Sequence, residues 1–451
     1  MESPVSSPSE TSKLSQTPIK KLFWHYTLPA IAGMLASGLY VVIDGIFIGQ
    51  FVGTEALAAM NLAWPVFGVL IGVALMSGMG TGALYSIARG KGGHKKASLI
   101  LGSSVLLMLF LSVLTGVLLF SFGHWPLLWM GAKDQVLTMG EEYLRIASFG
   151  SLAVMLGMAL PMIIRNDEHP TLSMSIMAAG AVLNIILDYL FIVILEQGMQ
   201  GAAIATVIAN AATALAALGY FVSDYAKERI TRQSLIFNWN ISKNILKTGM
   251  PSLAMFLYMS FVLFIHNRLF LEYGGVVTLA AFTIVGYVQA LFYMLAEGVA
   301  NGIQPLISFS YGQNNNKNIR ETLFMGMKWI LSVGFATLAV VNLFPDQIAF
   351  IFNSSDSVLQ SETSLGLRLH LFTLFLDGFI VVVAAYFQAL ANYRIATVIT
   401  MGNMLVQLPL LFILPKLMGV TGVWIALPLS NIALAIVVVY LLMKDLKKRT
   451  V

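Results

Sequence analysis

The chain has 451 residues, of which only 10% are charged and 58% hydrophobic, against roughly 25% charged residues in a typical soluble domain. So few charges cannot cover a soluble surface, and a mean hydropathy of +0.83 leaves the bilayer as the solvent for most of it. The absence of cysteine excludes disulfide frameworks, thiolate metal sites and a cysteine nucleophile.

Residues 1–21, rich in Ser, Pro and Thr, read as a disordered cytoplasmic tail with no cleavable signal, since the first apolar run is too long for a signal-peptide core. Apolar stretches long enough to cross a bilayer then follow at 22–50, 60–88, 97–122, 141–165, 171–195 and 199–222. After a polar linker at 223–240 come 243–272, 278–308, 319–343, 364–391, 393–415 and 420–443, and a basic tail at 444–451. The expected fold is an all-α polytopic membrane protein of twelve transmembrane helices. An even count places both termini on one side. That side receives twenty of the 26 Lys and Arg residues, from Lys13 to Arg449; five fall opposite and Lys328 lies within a span. Such a bias predicts that both termini are cytoplasmic. The basic residues are spread over many short loops, which argues against nucleic acid as a partner.

The chain is written twice. LPAIAGMLASGLYVVIDGIFIGQFVGTEALAA, from Leu28, matches MPSLAMFLYMSFVLFIHNRLFLEYGGVVTLAA, from Met250. A constant offset of about 222 aligns Pro29 with Pro251, Gly53 with Gly275 and Gly90 with Gly312. Two copies of six helices share one topology, so the axis relating them runs along the membrane normal, as in parallel-repeat transporters. The prediction is two pseudo-symmetric lobes, 22–222 and 241–443, around a central cavity. Duplication also builds channels and membrane enzymes.

Ionisable residues inside the spans are few and expensive. An ionised Asp at a helix centre costs about 2.5–3.5 kcal/mol on insertion scales. Asp44 follows Pro29 by fifteen residues, with Tyr40 one turn earlier. Asp188 has Asn184 one turn earlier on the same helix face, and Thr206 offers a hydroxyl at similar depth in the sixth helix. A satisfied hydrogen bond between helices is the bland reading. The repeat weakens it, because the second copy places Leu405, Pro409 and Leu427 opposite Asn184, Asp188 and Thr206, and His266 opposite Asp44. A polar cluster confined to one lobe suggests a task of that lobe, and the task these groups suit is cation coupling. Two nearby buried carboxylates disfavour a double negative charge and hold a proton instead, or carboxylate, amide and hydroxyl oxygens ligate Na⁺.

Glu297 and Asp377 are the acids of the second half, able to meet a cationic substrate or to serve as hydrogen-bonded structural groups. His266 joins Glu297 and Asp377 as a candidate cavity residue; with His370 it fits a buried neutral histidine better than a metal ligand, since no paired-His motif is present. No resident metal and no cofactor are expected. Gly78-Met79-Gly80-Thr81-Gly82 follows a helical apolar pattern and reads as close helix packing rather than a phosphate loop.

These segments resemble the multidrug and toxic compound extrusion (MATE) family over nearly the whole chain, most specifically in LPAIAGMLASGLYVVIDGIFIG…GTEALAA, LNIILDYLFI, GMQGAAIAT, GIQPLISFSYG and FQALANYRIAT. The Pro–Asp spacing and the Asn–Asp–Thr set are similar to the N-lobe proton or sodium site of its DinF-like branch. The resemblance implies a cation-coupled antiporter, with H⁺ or Na⁺ as coupling ion, exporting lipophilic, often cationic drug-like molecules by alternating access. It implies Asp44, Asn184, Asp188 and Thr206 as cation-site residues, Tyr40 in the cavity and Pro29 as a hinge. The NorM-like branch has a glutamate in its seventh helix; MPSLAMFLYMSF here has none, and Asp377 remains the candidate for that branch's tenth-helix acid. The implied location is a bacterial cytoplasmic membrane, with the chain a monomer in lipid. A lipid-linked oligosaccharide flippase is the nearest rival and would favour a basic cavity, whereas this census is acidic. A membrane-embedded transferase is the more distant one and would need a His/Asp or DxD constellation, so no enzymatic activity is expected.

Overall fold

The computed structural model describes residues 13–352 and 356–449. Among them, nine helices are long and apolar enough to span a bilayer, and two more spans are bent helix pairs. One of the nine, Trp239–Gly312, is itself two helices meeting at Gly275. Twelve crossings result, as the hydropathy pattern requires. They are α1 (Ile19–Val52), α2 (Thr54–Gly90), α3 (His94–Phe122), α4 (Asp134–Phe149 with Ser151–Asn166), α5 (Pro170–Ile194) and α6 (Gly198–Val222). The second six are α7 (239–274), α8 (276–312), α9 (Asn316–Leu343), α10 (Ser357–His370 with Leu374–Ala389), α11 (Tyr393–Met418) and α12 (Val420–Lys448).

The repeat is visible in the backbone. Gly53 and Gly275, paired by sequence, have φ of 115° and 73°, a region open to glycine at little steric cost. Each breaks the chain between the first and second helix of its copy. Two features differ from expectation. The fourth span begins at Asp134 and bends by 64° at Gly150, and the tenth begins at Ser357 and bends by 47°. DQVLTMG, ahead of the expected start at 141, mixes polar residues and glycine into the apolar pattern, yet it forms the first turns of the helix that buries Gly140, Tyr143, Leu144 and Ala147. Its bend sits where α6 crosses: a Cβ at Gly150 would lie 2.2 Å from a Val207 methyl.

The expected disordered tail is also corrected. Residues 1–12 lie outside the described residues, but Lys13–Gln16 is helical and α1 already begins at Ile19. Leu14, Ile19 and Leu22 are buried with Tyr26, Leu306 and Phe309, an apolar contact no composition average reveals. At the other end α12 stays helical through Lys448, and Arg449 pairs with Asp445 at 2.7 Å.

Each half has its own apolar core, but α1 and α7 exchange their first turns. Phe23 and Ile31 of α1 belong to the core of the second half, while Ile245 is buried in the core of the first, with Leu253 packed against it. These pairs are again 222 residues apart. Glycines permit the exchange. A Cβ at Gly302 or Gly298 of α8 would lie 2.6 Å from the Cα of Thr27 or Ile31, and one at Gly249 of α7 would lie 1.8 Å from the Met76 carbonyl oxygen. Nearer the termini, Gly90 and Gly312 face each other, each so close that a Cβ would meet its partner's Cα at about 3 Å.

Polar groups close this end as well. Asn166 and Gln304 form a reciprocal amide pair at 3.0 and 3.1 Å, and Arg165 donates to Asn301 Oδ1 at 3.1 Å. Beside them lies a buried ionic knot. Arg89 donates to Glu168 at 2.6 Å and faces Asp167 at 3.7 Å. Asp167 accepts from the hydroxyls of Tyr85 and Tyr220 and from the Lys227 backbone N–H at 2.8 Å. Burial pushes the Asp167 carboxyl above its ordinary range, against the pull of these donors and of Arg89. Breaking a buried pair from one side costs about 3–5 kcal/mol, because the partner charge stays uncompensated. Asp167→Ala is expected to destabilise the protein by about that much, read as a clear fall in the thermal transition in detergent; an unchanged transition would show the knot to be energetically idle.

Candidate functional site

The site is assembled from α1, α4, α5 and α6. α1 runs unbroken through Pro29, and glycine contacts with α8 flank that proline on both sides. Three turns on, Tyr40 is half-buried and Asp44 is 5% exposed. α1 then closes in a π-helical turn, Ile48–Val52. α5 does the same: Asp188 is the last residue before its π-turn, Tyr189–Ile194. The two wide turns meet through the Phe47 and Tyr189 rings, 6.4 Å apart. π-turns inside α-helices are uncommon and frequent at functional sites; here each follows a buried aspartate.

Asp188 is fully buried, Asn184 2% exposed and Thr206 8% exposed. Asp44, Asp188, Tyr40 and Thr206 form one electrostatic cluster around the buried Tyr143 of α4, whose hydroxyl faces Thr206. Asn184 stands one turn before Asp188 on α5. Among the described residues, Asp44 Oδ1, both carboxylate oxygens of Asp188 and both amide atoms of Asn184 have no hydrogen-bond partner. Buried polar atoms are paired in the great majority of cases. A cluster of orphaned oxygens suits a proton or a hard cation, which supplies the missing partner. The donor set of two carboxylates, an amide and a hydroxyl therefore fits the cation-site expectation. No group of three or more His, Cys, Asp or Glu that could hold a metal occurs among the described residues, so Na⁺ here would rely on the amide and hydroxyl oxygens as well.

Tyr143 is the member that sequence reading missed. It lies inside the expected fourth span, 141–165, with Glu141, Glu142 and Arg145 close by in sequence. Its signal was the same one-sidedness, since the second copy has Leu365 at the constant offset.

The remaining candidates divide. Glu297 is half-buried on α8, one turn from Tyr293. Asp377 is 3% exposed, faces Tyr293 and Asn431, and keeps Oδ1 without a partner. His266 does not join them. It is 2% exposed, its Nδ1–H donates to Val262 O at 2.9 Å, and its ring stacks on Phe282 at 5.4 Å and meets Phe270 and His370 edge-on or tilted. Trp424 closes the same aromatic group. Enclosed in this way, His266 faces aromatic rings, and its Nε2 has no partner among the described residues. His266→Phe swaps one flat ring for another, and volume-conserving changes cost under about 1.5 kcal/mol. Transport by this variant is expected to stay within about twofold of the parent in a dye-efflux assay, since a change that small in stability leaves the folded population nearly intact; loss of efflux from a stable variant would restore His266 to the site.

Comparison with known proteins agrees with this architecture. The MatE family model matches residues 29–190 and again 251–413, two segments whose starts are separated by the same 222 residues as the repeat. The chain is similar to the multidrug export protein MepA of Staphylococcus aureus strain MRSA252, with 26% identity over 434 residues and 95% of each chain covered. It superposes on a multidrug resistance MATE family transporter of the MOP superfamily solved in an outward-facing conformation, with a TM-score of 0.91, 27% identity, and 98% and 99% of the two chains covered. It superposes equally on a MOP superfamily transporter from Pyrococcus furiosus, with a TM-score of 0.91, 26% identity, and 98% and 100% covered. With both copies matched across most of its length, this chain belongs to the MatE family, whose members are transporters and not enzymes.

Proposed function

We propose that the protein is a cation-coupled antiporter that exports lipophilic, often cationic drug-like molecules, with Asp44, Asn184, Asp188 and Thr206 taking up the coupling H⁺ or Na⁺. The observation that carries this reading is the set of orphaned buried oxygens on Asp44, Asp188 and Asn184, gathered in the first lobe. In the second copy the equivalent positions hold His266, Leu405, Pro409 and Leu427, which offer no comparable oxygen set. The names of the similar proteins, multidrug export and multidrug resistance, point to the same class of cargo.

The lobes are joined by glycine contacts and amide pairs at the end carrying the termini, so this state opens away from it. Uptake of a cation by the cluster removes the repulsion between Asp44 and Asp188 and lets α1 and α5 draw together, with Pro29 as the hinge of α1. Substrate held near Tyr40, Glu297 and Asp377 is then released, and rocking of the two lobes resets the cycle. The protein acts as a monomer in a bacterial cytoplasmic membrane with both termini inside. One net charge moving inward gains about 2.3 kcal/mol per 100 mV, enough for somewhat under two decades of substrate gradient at about 1.4 kcal/mol per decade.

The test is transport of ethidium in proteoliposomes with pH and Na⁺ gradients imposed separately. Ethidium movement driven by either gradient supports antiport and names the ion. Movement that ignores both gradients refutes coupling.

A further inference from the structure

The termini face carries a second feature, remote from the aspartate cluster. The start of α1, the start of α9 and the end of α12 converge on a cavity of about 670 Å³. Lys20 enters it from α1, Lys317 and Arg320 from α9, and Arg449 from the end of α12. Arg449 is already neutralised by Asp445. Lys20, Lys317 and Arg320 have no ion pair among the described residues, and Glu321 is the single acid in the lining. Three cations against one acid, brought together from two helices nearly 300 residues apart, leave a net positive charge in the cavity. Such a gathering is stable where an anion joins it.

Depth indicates which anion. One turn further into the bundle, Trp24 of α1 and Trp329 of α9 meet edge to face at 6.4 Å, with Trp24 42% exposed on the outside of the helices. Exposed tryptophans of membrane helices sit at the headgroup level, which puts the cavity at or just beyond that level. Phe324, 47% exposed, gives the cavity wall an apolar strip on its bilayer side. One turn beyond it on the same face of α9 lies Lys328, exposed and leaning toward the helix N-terminus, hence toward the cavity. A basic pocket with an apolar flank at this depth suits an amphiphile with an anionic head.

We infer that this pocket binds the phosphate of an acidic phospholipid headgroup, held by Lys20, Lys317 and Arg320 with the lipid chains against Phe324. Each Lys or Arg near an anionic membrane surface contributes about fivefold in affinity, so removing three should weaken binding by about a hundredfold.

The test is native mass spectrometry of the full-length protein titrated with phosphatidylglycerol and, separately, phosphatidylcholine. The parent is compared with K20Q/K317Q/R320Q and with K91Q/K95Q/K96Q, which removes three cations elsewhere on the same face. Five of the six side chains are exposed and Arg320 is half-buried, and gel filtration checks that each variant remains folded. The expected result is tight phosphatidylglycerol adducts on the parent and on the second variant, about a hundredfold weaker ones on the first, and no matching change with phosphatidylcholine. Equal retention by the first variant, or equal loss in both, overturns the site. Inorganic phosphate is titrated as a further arm: if it displaces phosphatidylglycerol at millimolar concentration and binds without lipid, the pocket serves a soluble phosphate and the lipid assignment falls.

Discussion

Asp44→Asn and Asp188→Asn are each expected to bring ethidium efflux down to the level of cells lacking the transporter, with normal amounts of protein in the membrane. Asparagine keeps the shape of the side chain and removes the charge that takes up and surrenders a cation. Stability separates this from a structural role. The carboxylate oxygens of Asp188 and Oδ1 of Asp44 have no hydrogen-bond partner among the described residues, and a buried ion without a partner costs several kcal/mol. Neutralising either should leave the thermal transition unchanged or raise it. Were the two groups only bonds between helices, the same substitutions would lower the transition and spare part of the transport. Full efflux by the double variant would falsify the coupling assignment outright.

The second large effect concerns closure of the lobes. A Cβ at Gly80 would lie 2.1 Å from the Ile245 carbonyl oxygen, and one at Gly249 would lie 1.8 Å from that of Met76. Both neighbours are backbone atoms of the opposite helix, which cannot turn aside as a side chain can. Overpacking of this kind costs about 1–3 kcal/mol, all of it in the state where α2 and α7 touch. A shift of that size changes a two-state population by about 5- to 150-fold. Gly80→Ala/Gly249→Ala should therefore disfavour the closed termini side and stall transport, while the aspartate cluster, on other helices, keeps its geometry. The chain has no cysteine, so spin labels on cysteines at exposed Lys91 and Asn314 report the gap without background. Their distance should lengthen in the double variant; an unchanged distance with normal transport would show that the contact does not control the cycle.

The hydropathy record and the repeat made much of this molecule legible. Twelve spans follow from apolar runs because a helix in lipid must satisfy its backbone internally and present apolar side chains outward, and both requirements are local. The pairing of Gly53 with Gly275 and of Gly90 with Gly312 was readable at a constant offset, because a left-handed turn and a close backbone approach each demand glycine wherever the fold recurs. Asp44 and Asp188 stood out for the same reason: a charge in an apolar run is costly on any arrangement of the helices, so its presence is informative before the arrangement is known.

What failed to show in the sequence depends on neighbours supplied by distant segments. Asp134, Gln135 and Thr138 made α4 look as if it began at 141, and only packing against other helices reveals that Tyr143 is buried beside Thr206. His266 occupies the place of Asp44 in the second copy, yet Phe270, Phe282, His370 and Trp424 enclose it, so equivalence of position did not carry equivalence of surroundings. Lys20, Lys317 and Arg320 read as scattered topology signals until the helix ends brought them to one cavity. The sequence by itself determined the number of helices, their duplication and the identity of the buried charges, since burial energies and backbone requirements act residue by residue. The tertiary structure alone decided which of those charges meet, which lobe each end of α1 and α7 packs into and where the two halves touch, since such contacts arise between segments that no local pattern relates.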